Sequence, residues 1–152
     1  MVIETEEPGI DRLVQDLLEA GWYVDRAAAL EAWRGQGQFN AIEAESGWKA
    51  DFIVRKNRSY SREEFSRRQG ISMLGVDLQV ASLEDVLIAK LEWGQLGDSA
   101  LQRRDVVQLL ERTWDRLDQA YLGKWIAELG LEPEWRAARA EVEQGRSSDE
   151  AE

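Results

Sequence analysis

Residues 41–54 read AIEAESGWKADFIV, two short apolar runs around Ser46 and Gly47, with one acid, Asp51, between Ala50 and Phe52. Phe39, Ala41 and Ala44, then Ala50, Phe52 and Val54, alternate or cluster as half-buried strands do, so the stretch predicts a β-hairpin. Upstream, Val2 to Thr5 is a short β-branched run that predicts a strand. Pro8 stands in the favoured first turn of a helix over 9–20, with Ile10, Leu13, Val14, Leu17 and Leu18 at helical spacing and a stop at Gly21. A short strand over 22–24 and an Ala-rich helix over 26–34 complete the first part.

Downstream of the hairpin the order changes. Residues 55–58 form a polar turn, and Ser61 with acids at 63 and 64 predicts a capped, basic-faced helix over 61–69. Residues 71–73 and 76–80 flank Gly75 as a second hairpin. Ser82, with Asp85 three residues on, caps a helix through Trp93, followed by a loop over 94–99. Three more helices follow over 101–113, 118–129 and 132–144. The expected class is α+β: a mixed sheet with flanking helices, then a C-terminal helical bundle. The expected organisation is a single domain over 1–145, α/β over 1–80 and helical over 81–145. A disordered acidic tail is expected over 146–152.

Composition narrows the chemistry. The 152 residues include no cysteine and no histidine, which removes thiolate metal sites and every Ser-His or Cys-His arrangement. Reactions here must run on carboxylates, Lys, Arg, hydroxyls or a metal held by oxygen. No apolar run reaches membrane-spanning length and the N-terminus carries no secretion signal, so the expected location is the cytoplasm. The net charge of −11 gives no strong nucleic-acid signal and reads as a solvated acidic surface, or as an acidic partner for another protein. The basic group at 55, 56, 58, 62, 67 and 68 reads either as a polyanion site or as a solvated turn and helix face. The seven tryptophans read mostly as packing.

Three positions carry candidate chemistry. Asp51 either faces water from its strand or ligates something, since a buried carboxylate needs a partner. Lys90 lies at the edge of a buried helical stripe and either snorkels or points its ammonium at phosphates. Arg104 and Asp105 open the next helix and read as an ion pair that docks it on the helix bearing Lys90.

In order, FNAIEAESGWKADFIV, REEFSRR, ASLEDVLIAKLEW, RRDVVQLL and LDQAYLGKWIAELG resemble the small bacterial nucleotidyltransferase-like proteins, relatives of the toxin nucleotidyltransferases of abortive-infection systems. The resemblance runs from about Pro8 to about Glu141. It implies a nucleotidyltransferase-like sheet, and a site in which a Gly-Ser element holds nucleotide phosphates while an Asp-x-Asp pair and a third acid hold divalent metal. By position, Asp51 is the third acid and metal ligand, and Lys90 the helix lysine facing the triphosphate. Arg104 and Asp105 match an Arg-Asp pair, and Lys49 adjoins the site as a substrate-binding group. The implied cofactor is Mg²⁺ if the protein is active, and the implied small-molecule partner is a nucleotide. The Asp-x-Asp pair is expected directly ahead of MVIETEE, and neither it nor the Gly-Ser element is in this sequence. Two readings follow: an N-terminally shortened, inactive module that binds a protein partner or a second copy, or a metal-dependent nucleotidyltransferase whose upstream segment is missing. Losing the first helix and most of the first strand exposes a sheet edge and an apolar face, which predicts a homodimer.

Overall fold

A computed structural model describes residues 1–97 and 100–149, with side chains described to Gly145. The chain is α+β, with a four-stranded mixed sheet, a separate two-stranded sheet, and helices dominating its C-terminal part. It divides into two compact units, Met1–Glu63 and Glu64–Glu152.

In the first unit the strands are β1 (Val2–Ile3), β2 (Trp22–Val24), β3 (Gln38–Glu43) and β4 (Lys49–Val54). The sheet order is β1-β4-β3-β2, with β1 parallel to β4 and the other pairs antiparallel. Helices α1 (Glu7–Glu19) and α2 (Arg26–Gly35) supply the apolar face that the sheet needs. Ile10, Val14, Ala29, Leu30 and Ala32 from the helices meet Val24, Phe39, Ala41 and Phe52 from the strands in one buried cluster. Phe39 and Phe52, directly opposite each other in the hairpin, stack with ring centroids 5.0 Å apart. Asp25 caps α2 by accepting from the amides of Ala27 and Ala28, an arrangement that satisfies donors the first turn would otherwise leave open. Helix α3 (Ser59–Ser66) spans the end of this unit. It starts two residues earlier than its sequence suggests, because Ser61 does not cap it. Ser61 is buried inside the helix and accepts from Arg58 Nε at 3.0 Å.

The second unit holds the ribbon of β5 (Gln69–Met73) and β6 (Val76–Val80). Leu74 and Gly75 both adopt left-handed φ (54° and 79°), which is what a two-residue hairpin loop requires and which glycine accepts without strain. Register pairs Ile71 with Leu78 and Met73 with Val76, so one face of the ribbon is apolar and the other carries Ser72, Asp77 and Gln79.

Four helices follow: α4 (Leu83–Gly97), α5 (Ala100–Thr113), α6 (Gln119–Leu129) and α7 (Glu132–Asp149). They contact one another and bury Leu87, Ile88, Leu91, Val106, Leu110, Leu122, Trp125, Ile126 and Ala138. Helix α4 continues past Trp93 to Gly97, so residues 94–97 are helical where a loop is expected; the rest of that expected loop, 98–99, lies outside the described residues. Leu91 and Gly94 sit one turn apart on the side of α4 that faces α5 and α7, the helices on which α4 packs. Helix α7 likewise runs beyond residue 144 to Asp149, and the last part of the expected tail, 150–152, lies outside the described residues. Among the described residues no helix is long and apolar enough to cross a membrane.

Candidate functional site

Strand alternation decides the setting of Asp51. Phe52 and Val54 on β4 turn into the core, so Lys49 and Asp51 share the opposite face. The Asp51 side chain is 58% exposed, and its Oδ1 lies 3.1 Å from Lys49 Nζ. Asn40 stands opposite it on β3. The parallel pairing of β1 with β4 sets Val2 against Ile53, and the amino group of Met1 donates to the Asp51 carbonyl at 2.6 Å. Lys49 and Asp51 are thus brought together, at the end of β4 where β1 enters the sheet.

Lys90 and Asp105 are the second pair, in the second unit. Lys90 projects from α4 and Asp105 from the first turns of α5. Lys90 Nζ reaches Asp105 Oδ2 at 2.6 Å and Gln102 Oε1 at 3.5 Å, with both ionic side chains about two-thirds buried. The pair that ties α5 to α4 is therefore Lys90–Asp105. The reading in which Arg104 pairs with Asp105 to make this tie is corrected: Arg104 is exposed and forms no ion pair among the described residues. The helical period explains the exchange. Asp105 lies one position from buried Val106, on the edge of the α4-facing stripe, whereas Arg104 falls outside it.

The basic group proves to be divided among internal partners. Arg55 pairs with Glu4, Arg62 donates to Asn57 Oδ1 at 3.0 Å, Arg58 lies over the Tyr60 ring and Arg68 over the Phe65 ring.

The densest polar arrangement is one that the sequence reading reduced to a helix cap. Ser82 does cap α4, accepting from the Asp85 amide at 3.2 Å. Its hydroxyl also donates to Asp85 Oδ2 at 2.7 Å, and the Tyr121 hydroxyl donates to Asp85 Oδ1 at 2.7 Å. Arg67 Nε lies 3.5 Å from Asp85, and the guanidinium sits 3.8 Å from the centre of the Tyr121 ring. Neighbouring Glu84 accepts from Arg67 at 3.2 Å and from the Asp118 amide at 3.0 Å. Burial alone pushes the Glu84 carboxyl upward; the Asp118 amide, its own amide, the Ser82 hydroxyl and the Arg67 charge outweigh it and hold Glu84 below its ordinary 4.5. Asp85 is fully buried. This network joins the end of α3, the start of α4 and the start of α6, and its only sequence signal was an acidic doublet, Glu84 and Asp85, beginning two residues after a capping serine.

A metal centre of the implied kind needs several oxygen ligands in one place. Asp51 is a single carboxylate paired with a lysine, and no group of three potential ligands that could hold a metal ion occurs among the described residues. The residues at Asp51 do not fit a two-magnesium site by themselves. Set against protein-family models, curated proteins and solved structures, the chain gives no significant match.

Proposed function

We propose that this chain is a cytoplasmic nucleotidyltransferase-lineage module that works by binding a protein partner or a second copy of itself, and that it does not transfer nucleotides with the residues it has here. One observation carries this reading: each of the two groups best suited to nucleotide chemistry already has a partner of opposite charge. Asp51 faces Lys49, and Lys90 is held by Asp105 at 2.6 Å. A lysine matched in this way offers little net charge to a triphosphate. Strand β1 stands at an edge of the sheet, with its Val2 and the preceding Met1 exposed, which leaves that edge accessible to another chain.

A metal-dependent nucleotidyltransferase, transferring a nucleoside monophosphate to an RNA, protein or small-molecule hydroxyl with Mg²⁺, is the second reading. The β1–β4 register favours it, because the parallel pairing brings the start of β1, at Met1, alongside Asp51.

Calorimetric titration with ATP, GTP, CTP and UTP in excess magnesium separates the two. The binding-module reading expects no saturable heat at millimolar nucleotide and a light-scattering mass above that of one chain. Saturable binding that disappears in Asp51→Asn or Lys90→Ala would establish the second reading instead. A monomer that also binds no nucleotide would remove the self-association part of the first.

A further inference from the structure

The second unit contains a pocket of about 200 Å³, open to solvent on one side and lined by α4, α5 and α7. Leu91, Val106 and Ala138 give it an apolar wall, and Lys90, Arg103 and Glu134 bring charge to its lining. The three charges are not equivalent. Lys90 is matched by Asp105 at 2.6 Å, and Arg103 Nη1 lies 3.9 Å from Glu141. Glu134 is different: its Oε2 is buried and accepts no hydrogen bond.

A carboxylate oxygen taken out of water without a donor is costly, and native structures rarely leave one so. Glu134 lies in the first turn of α7, where the helix dipole favours a negative charge. That field lessens the cost of the charge but places no donor on Oε2. What Oε2 lacks is a donor; an ammonium supplies one together with the opposite charge, and an alkyl chain on it would lie against the aliphatic wall.

We propose that this cavity binds a small alkylammonium ion, with its ammonium on Glu134 and its chain against Leu91, Val106 and Ala138. The cavity suits a chain of a few carbons. A long polyamine exceeds it, and a phosphate would meet the Glu134 charge. The proposal is independent of the nucleotidyltransferase reading, since it uses neither Asp51 nor a metal.

The test is calorimetry on the full chain with n-butylammonium, and with n-butanol as the neutral probe of similar shape. Wild-type protein should bind the ammonium saturably, in the millimolar range or tighter, and should not bind the alcohol. Glu134→Gln keeps the side-chain shape and should weaken binding by at least about tenfold. Glu128→Gln removes an exposed acid outside the cavity and should leave binding unchanged. Thermal melting of each variant confirms that it is folded. Absence of binding to folded wild type would mean that the cavity holds only water, and would overturn the proposal. Equal binding by Glu134→Gln, or equal losses in both variants, would assign the signal to the acidic surface and overturn it too.

Discussion

Asp51 lies between Ala50 and Phe52 on a strand, Asp85 lies between Glu84 and Val86 in the first turn of a helix, and the fold treats the two acids in opposite ways. Asp51 points to solvent from β4 with Lys49 beside it. Asp85 is sealed at the meeting of three helix ends, with Ser82, Tyr121 and Arg67 around it. The difference follows from geometry. A strand inverts its side chains at every residue, so an acid flanked by apolar neighbours faces away from the core. A helix turns 100° per residue, so an acid beside Val86 and Leu87 can stay on the buried side if neighbours supply donors. An acid between apolar residues of a strand is therefore a weak sign of a site, whereas an acid three residues after a capping serine is here the centre of a buried network.

The largest expected effect follows directly. Asp85→Ala leaves the Arg67 charge and the Tyr121 and Ser82 hydroxyls without their shared acceptor, and should destabilise the protein by about 3–5 kcal/mol. Chemical denaturation read by tryptophan fluorescence would measure it, since Trp125 packs edge-on against Tyr121. A loss below about 1 kcal/mol would show that Asp85 is replaceable and that the contrast with Asp51 has no energetic content.

Removing one donor should cost less. Tyr121→Phe deletes the hydroxyl at 2.7 Å from Asp85 but keeps the ring under Arg67. The expected loss is about 1.5–3 kcal/mol, the range for a hydrogen bond to a charged group. In a double-mutant cycle with Asp85→Asn, strong coupling is expected because the two groups touch.

Glu84 extends the comparison to pH. Its carboxyl is held below the ordinary 4.5 in the folded chain, so its contribution to stability is complete above that value. It is lost progressively as pH falls from 4.5 through the depressed folded value. Glu84→Gln should therefore flatten the acid limb of the stability profile and leave its slope near neutral pH unchanged. Melting temperatures across pH 3–7 for wild type and variant would check this; superimposable acid limbs would show that Glu84 does not contribute.

Much of the architecture was legible in the sequence, and the reasons can be named. Period-two alternation from Phe39 to Val54 gave both strands of the hairpin, and Gly21 and Gly75 marked turns that their left-handed φ values require. The end of α4 was misread because Gly94 looked like a stop, whereas packing on α5 and α7 carries the helix through it. Ser61 was misread as a cap because a capping pattern is local, and the helix had already begun at Ser59. The site was less legible than the fold. Lys90 and Asp105 were both singled out, yet their union depends on two helices meeting, which spacing along one chain does not encode. Arg67 was read only as one of a basic group, and the roles of Tyr121 and Glu134 gave no local pattern, because their partners or surroundings come from distant segments.

The smallest expected effect tests the other side of the comparison. Asp51→Asn keeps the shape of the side chain, removes one member of an exposed ion pair, and leaves the β4 backbone bonds intact, including the one accepted from Met1. Exposed pairs contribute about 0.2–1 kcal/mol, so the change in stability should fall within roughly 0.5 kcal/mol of zero. A loss as large as that of Tyr121→Phe would mean that Asp51 has a structural duty its exposure does not reveal. An unchanged melting curve together with loss of a bound nucleotide would give the opposite lesson. A residue that contributes almost nothing to the fold is then retained for what it contacts outside it, and the cheapness of Asp51 beside the cost of Asp85 becomes the functional signal.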